Sequence, residues 1–219
     1  MDRSRLEAFS DGVFAVAITL LALNLTVAGP GHGALWGQLG TRWPAFAAYV
    51  ISFFTIGIVW VNHHVLVRSI TVVTRTLLFL NLLLLLFVVV IPFATGVAAE
   101  YLTAKDLTAN GGSAWDPRVA LALYGAVFLG MSIGFGSIFE WTLHGERVDQ
   151  PVPVEKRWAA RVRFVGGAGV YAIAIAVALF SPVASFVIIA LVAVYYIAQR
   201  TPGTAGTGDA EPPDDTRSP

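Results

Sequence analysis

The sequence contains no cysteine. That absence removes a disulfide framework, thiolate catalysis, iron–sulfur clusters and any thiolate metal site. Charge is scarce: Asp, Glu, Lys and Arg make up 13% of the chain, about half the share of an ordinary soluble domain. The charges also cancel, 14 basic against 14 acidic, so no basic excess argues for a nucleic-acid partner. What fills the space is apolar: 56% hydrophobic residues over 219 positions and a mean hydropathy of +0.71. A composition of this kind describes a membrane protein, and the length leaves little room for a separate soluble catalytic unit.

A span needs about 20 mainly apolar residues to cross the hydrocarbon. Six windows satisfy this between polar or Gly/Pro-rich breaks: residues 6–27, 43–66, 76–97, 117–140, 158–180 and 182–198. The expected fold is therefore all-α, with six transmembrane helices over residues 1–200. Pro117 suits the first turn of the fourth helix. The boundary at Ser181-Pro182 has a competing reading as a kink within one long helix, because proline bends a membrane helix without always ending it. The first window is too long for a signal-peptide core and carries Asp11 and Asn24, so no cleavage is expected. Residues 201–219 turn to Pro, Gly, Thr and Asp and are expected to form a disordered cytoplasmic tail.

Basic residues set the orientation. With both ends cytoplasmic, the inner segments hold Arg3, Arg5, Arg68, Arg75, Arg147, Lys156, Arg157, Arg161, Arg163, Arg200 and Arg217, whereas the outer loops hold only Arg42, Lys105 and Arg118. This bias supports an even number of spans in a plasma membrane.

Polar groups inside a span are costly and are candidates for function. Arg5, Phe9, Ser10 and Asp11 lie at the cytoplasmic end of the first helix, and Trp60, Asn62, His63 and His64 at the cytoplasmic end of the second. The two clusters are level. Asp11 is expected to pair with His63 or His64, with Arg5 or Ser10 as further donors. The favoured role is a staple that holds the first helix, rather than contact with a permeating species. A metal held by His63, His64 and Asp11 is disfavoured, because adjacent histidines point about 100° apart on a helix. Further along, Val16, Leu20 and Leu23 form an i, i+4, i+7 stripe with Thr19 beside it, and Asp11 lies about 140° away from Val16 around the helix. Periodicity alone assigns such a stripe to lipid or helix packing.

The segment from Arg5 to Leu21 carries the pattern R-x-x-x-F-S-D, at Arg5, Phe9, Ser10 and Asp11. It resembles the first-helix signature of the transmembrane protein 175 family, endosomal and lysosomal potassium channels and their bacterial relatives. Trp60-Val61-Asn62-His63-His64, and Asn81 with the following Leu run and Pro92-Phe93, are similar as well. The resemblance implies a bacterial, single-repeat subunit of six helices and a homotetramer whose first helices line the pore. It further implies a hydrophobic constriction at Val16, apolar rings at Leu20 and Leu23, and a polar layer at Thr19 near which permeant potassium passes. Arg5, Phe9, Ser10, Asp11, Trp60, Asn62, His63 and His64 become the network that positions the pore helix. No enzyme activity and no cofactor are implied. Where relatives often carry isoleucine or leucine at the constriction, this chain has the smaller valine.

Ser132-Ile133-Gly134-Phe135-Gly136 imitates the filter of ordinary potassium channels. It sits mid-way along an apolar span with no re-entrant flank, so Gly130, Gly134 and Ser137 are read as a helix-packing face. Gly125 and the group Gly166, Gly167 and Gly169 are expected to permit close helix contacts. Two rival functions remain: a proton-coupled secondary transporter with Asp11, His63 and His64 as titrating relay, and a metal or haem enzyme built on His63 and His64, since His32 and His144 fall in loops on opposite sides.

Overall fold

The computed structural model describes residues 2–104, 111–144, 147–149 and 154–198. The expected tail, residues 201–219, lies outside the described residues, as do Lys105, Arg200 and Arg217 and the side chains of Lys156 and Arg163. Seven α-helices follow one another among the described residues: α1 (Arg3–Leu21), α2 (Leu35–Thr41), α3 (Trp43–Ser69), α4 (Arg75–Thr103), α5 (Asp116–Thr142), α6 (Val154–Ala178) and α7 (Pro182–Ala198). Among the described residues, four stretches are long and apolar enough to cross a membrane: Arg3–Asn24, Trp43–Ser69, Arg75–Thr103 and Asp116–Thr142. Two shorter apolar helices, Gly166–Ala178 and Pro182–Ile197, follow among the described residues.

The first span ends earlier than its apolar run predicts. Regular α-helix stops at Leu21 and tightens into a 3-10 turn, Ala22–Asn24. The following loop folds back on Gly29, Gly31 and Gly33, all at positive φ, a conformation other residues enter only with strain. Gln38 locks that loop: its amide donates to the Gly29 and Gly33 carbonyls at 3.0 and 2.9 Å and accepts from the Gly29 N–H at 3.1 Å. The short helix α2 absent from the sequence reading supplies Gln38.

Starts and breaks of the other helices follow local chemistry. Thr74 caps α4 by accepting from Leu77 N–H at 3.3 Å, and Pro44 and Pro117 sit in first turns that have no hydrogen bond to lose. At Ser181-Pro182 the chain forms a hairpin: α6 stops at Ala178, α7 starts at Pro182, and a side chain added at Gly167, midway along α6, would meet Tyr196 near the end of α7. The α3–α4 and α5–α6 connections pair through a β-bridge between Ile70 and Val148.

The core lies where α4 and α5 meet, with Leu84, Val88, Ile91, Leu121, Phe128 and Ile138 fully buried. The filter-like segment is continuous helix within α5. A Cβ on Gly134 would lie 2.9 Å from Leu84 Cα, and one on Gly130 would run into the Phe87 ring, so these glycines let the two helices touch. Ser137 is not part of that face; its hydroxyl donates to the Ile133 carbonyl of its own helix at 2.8 Å. Gly125 closes against Ile175 of α6, whereas Gly166 and Gly169 face open space and only Gly167 of that group makes a close approach. Three hydroxyls are buried in the same core. Thr95 donates to the Ile91 carbonyl at 2.7 Å, so Ser52 donates to Thr95 at 2.7 Å and Tyr124 to Ser52 at 2.8 Å. This directed chain ties α3, α4 and α5 with no polar group left over.

Candidate functional site: the first helix and its anchors

Helix α1 has two dissimilar faces. Leu6, Ser10, Phe14, Ala17 and Leu21 are buried against α3 and α4. The opposite face is open: Val16 is 55% exposed, Leu20 38% and Leu23 72%. Arg5, Phe9 and Gly12 continue that open face toward the N-terminal end, since five, nine, twelve and sixteen lie within a narrow sector of a 3.6-residue helix. Leu23 lies in the 3-10 turn rather than in α1 itself; three residues per turn set it directly over Leu20. Thr19 donates its proton to the Val16 carbonyl at 2.8 Å, so on its exposed side the hydroxyl offers acceptor lone pairs.

Two sets of polar contacts fix the N-terminal half of α1. The first is buried and its proton order is determined. Ser10 donates to the Leu6 carbonyl at 2.9 Å and so accepts from the Asn81 amide at 3.0 Å. Asn81 then presents its oxygen to His63 Nε2 at 2.7 Å, which makes Nε2 the protonated nitrogen. Phe14 packs on the same imidazole, ring centroids 5.4 Å apart. One amide thereby joins α1, α3 and α4.

The second set runs along the α1–α3 seam. Trp60 Nε1 donates to Asp11 Oδ1 at 2.8 Å, His64 Nδ1 lies 3.0 Å from Glu7 Oε1, and Arg68 Nε donates to the same Glu7 oxygen at 3.3 Å. Glu7 and Asp11 are i, i+4 on one helix, facing Trp60, His64 and Arg68 at i, i+4, i+8 on the other. Arg3 adds a clamp at the very end, donating to the Arg68 carbonyl at 2.9 Å and the Ile70 carbonyl at 3.3 Å.

This arrangement corrects the expected pairing. Asp11 is bonded to Trp60, not to a histidine, and the two histidines serve different partners on different faces. Ser10 belongs to the Asn81–His63 chain rather than to Asp11. Arg5 is exposed and has no partner among the described residues, Phe9 lies on the open face, and Asn62 donates to the Ile58 carbonyl of its own helix at 2.8 Å. Of the three metal-ligand candidates His63, His64 and Asp11, His63 Nε2 is committed to Asn81; the donor atoms that converge belong to Glu7, Asp11 and His64. Sequence reasoning missed Glu7 and Arg68, although their i, i+4 spacing from Asp11 and His64 signals them. It also missed the outer anchor. Asn24 donates to the Pro92 carbonyl at 2.8 Å and sits so close to α4 that a Cβ on Gly96 would be 2.8 Å from Asn24 Oδ1. The first helix is thus tied at both ends, with its apolar stripe between the ties.

Comparison with known proteins adds a family to this geometry. The family described as endosomal/lysosomal potassium channel TMEM175 matches residues 5–92, the segment containing both sets of ties. A potassium channel of Streptomyces collinus is 40% identical over 204 residues, covering 92% of this chain and 94% of its own. The chicken endosomal/lysosomal proton channel TMEM175 is 37% identical over 110 residues, 46% of this chain and 22% of that longer protein. The crystal structure of a lysosomal potassium-selective channel TMEM175 homolog from Chamaesiphon minutus superposes with a TM-score of 0.74 at 31% identity, over 89% of this chain and 96% of that one. The class defined by fold and relatives is a multi-pass membrane ion channel, not an enzyme. Within it, the chain belongs to the TMEM175 family.

Proposed function

We propose that this chain forms a potassium-preferring cation channel: a homotetramer, with one six-helix channel domain per subunit over residues 1–200, in which four copies of α1 surround the conduction path. The observation that carries the reading is the open face of α1. A helix held on its inner side by buried ties, and bearing on its outer side an apolar stripe with one hydroxyl layer, is suited to meet its own copies around an axis. The potassium-channel names of the bacterial relatives support the same reading. Both termini lie on the cytoplasmic side of the plasma membrane, and α6 and α7 complete the six spans. No cofactor takes part.

Val16 forms the constriction, with further rings at Leu20 and Leu23. A ring of valine side chains offers an ion nothing in exchange for its water, so the narrow state dewets and blocks. Splaying or rotating α1 admits a wet file. Potassium gives up water more cheaply than sodium, and the outward lone pairs of Thr19 replace part of what is lost, which yields a preference without a carbonyl-lined cage. Ser10, Asp11, Trp60, His63 and His64 hold α1 at the angle this requires; Arg5 and Phe9, on the open face, belong to the cytoplasmic mouth, and Asn62 remains outside the subunit's network.

Proton passage is the second reading, favoured by the animal relatives named proton channels. Ion flux from purified protein in liposomes, under separate potassium, sodium and proton gradients, decides between them. Rapid potassium flux exceeding sodium flux is expected. Proton flux that outruns potassium flux would favour the second reading, and flux that saturates and requires a proton gradient would point instead to a carrier using Asp11 and the histidines.

A further inference from the structure

The α1–α3 seam, whose ties hold α1 in place, also gathers a set of metal-ligand donors. Glu7, Asp11 and His64 each offer one ligand atom, and these atoms all lie within 4.8 Å of one another. The closest two, His64 Nδ1 and Glu7 Oε1, are 3.0 Å apart, yet Nδ1 is shielded from solvent and has no hydrogen-bond partner. Their approach therefore lacks the direction of a shared proton. Two donors bound to one ion at about 2.1 Å are separated by about 3.0–3.4 Å at angles from 90° to tetrahedral, and the 3.0 Å between Nδ1 and Oε1 falls in that range.

We propose that Glu7, Asp11 and His64 form a binding site for a divalent transition-metal ion of the zinc class. One imidazole and two carboxylates make a ligand set such ions accept, and the partial exposure of the cluster leaves a fourth position to water. The outer contacts fit as well. Trp60 engages Asp11 Oδ1 and leaves Oδ2 for the ion, orienting the carboxylate as metal-site neighbours do. Glu7 and Asp11 come from one helix and His64 from the other, so the ion bridges α1 to α3 near the cytoplasmic surface.

Arg68 is the competitor. Its side chain is 66% exposed and meets Glu7 at the long distance of 3.3 Å, so it withdraws into water at little cost, but its charge opposes the cation. Two substitutions thus act in opposite directions. Zinc titration of the full-length, chelator-stripped protein in detergent, followed by calorimetry, is expected to give one site per subunit. Glu7→Gln and His64→Gln each weaken it at least tenfold, Arg68→Gln strengthens it, and His32→Gln and His144→Gln leave it unchanged. The Arg68→Gln gain is a result that misfolding does not produce. Absence of zinc binding in the parent protein, or binding equal to the parent's in both Glu7→Gln and His64→Gln, would overturn the assignment. Neither depends on whether the protein conducts.

Discussion

Asn81 stands between two buried groups, accepting a hydrogen bond from His63 Nε2 and donating one to Ser10 Oγ. Asn81→Leu keeps the volume and removes both. Interhelical hydrogen bonds in membranes average only about 0.6 kcal/mol, and a buried donor left without a partner adds a penalty of about 1–3 kcal/mol. The expected loss is about 2 kcal/mol, read as a lowered midpoint in a thermal-stability assay of detergent-solubilised protein, and an unaltered midpoint would remove the amide from the account of what holds α1. Val16 carries a different kind of claim, about water rather than stability. Val16→Asn places an amide at the constriction and lets the narrow segment stay hydrated; liposome flux is expected to rise several-fold with no loss of assembled protein. Unchanged flux and selectivity in both Val16→Asn and Val16→Ala would take the constriction away from this residue. These residue-scale partners were only partly legible in the sequence. The level of the two polar clusters follows from counting along helices, but which side chain meets which depends on the rotation of α3 relative to α1, and no spacing within either helix encodes that.

At the scale of elements, hydropathy located the four long apolar helices among the described residues, because twenty apolar residues between polar breaks have few other fates in a membrane. Ends were less legible. The apolar run of the first span continues past Leu21, yet the helix tightens there because Asn24 is held by α4 at Pro92, a contact 68 residues away that no local propensity reports. The glycines of α5 show the reverse: their spacing suggested close packing, and Gly134 lies against the Leu84 backbone. A pair of substitutions tests that contact. Gly134→Ala forces α4 and α5 apart and is expected to cost about 1–3 kcal/mol as overpacking does, whereas Gly136→Ala, two residues on and facing open space, is expected to be tolerated. Equal midpoints for the two variants in the same thermal assay would contradict the packing described for the α4–α5 core.

For the whole molecule, the sequence resemblance and the fold agree on a channel subunit whose first helix presents an open apolar stripe, and the central claim is that this stripe faces ions rather than lipid. The lack of cysteine makes the claim directly measurable, because any thiol introduced is the only one present. Val16→Cys, Leu20→Cys and Leu23→Cys, reconstituted in liposomes and treated with a charged, water-soluble thiol reagent, are to be compared with Ile173→Cys on the exposed surface of α6. The account predicts modification and loss of potassium flux at the three α1 positions and no effect at Ile173→Cys. Full flux after treatment at all three α1 positions, with their thiols unmodified, would contradict it.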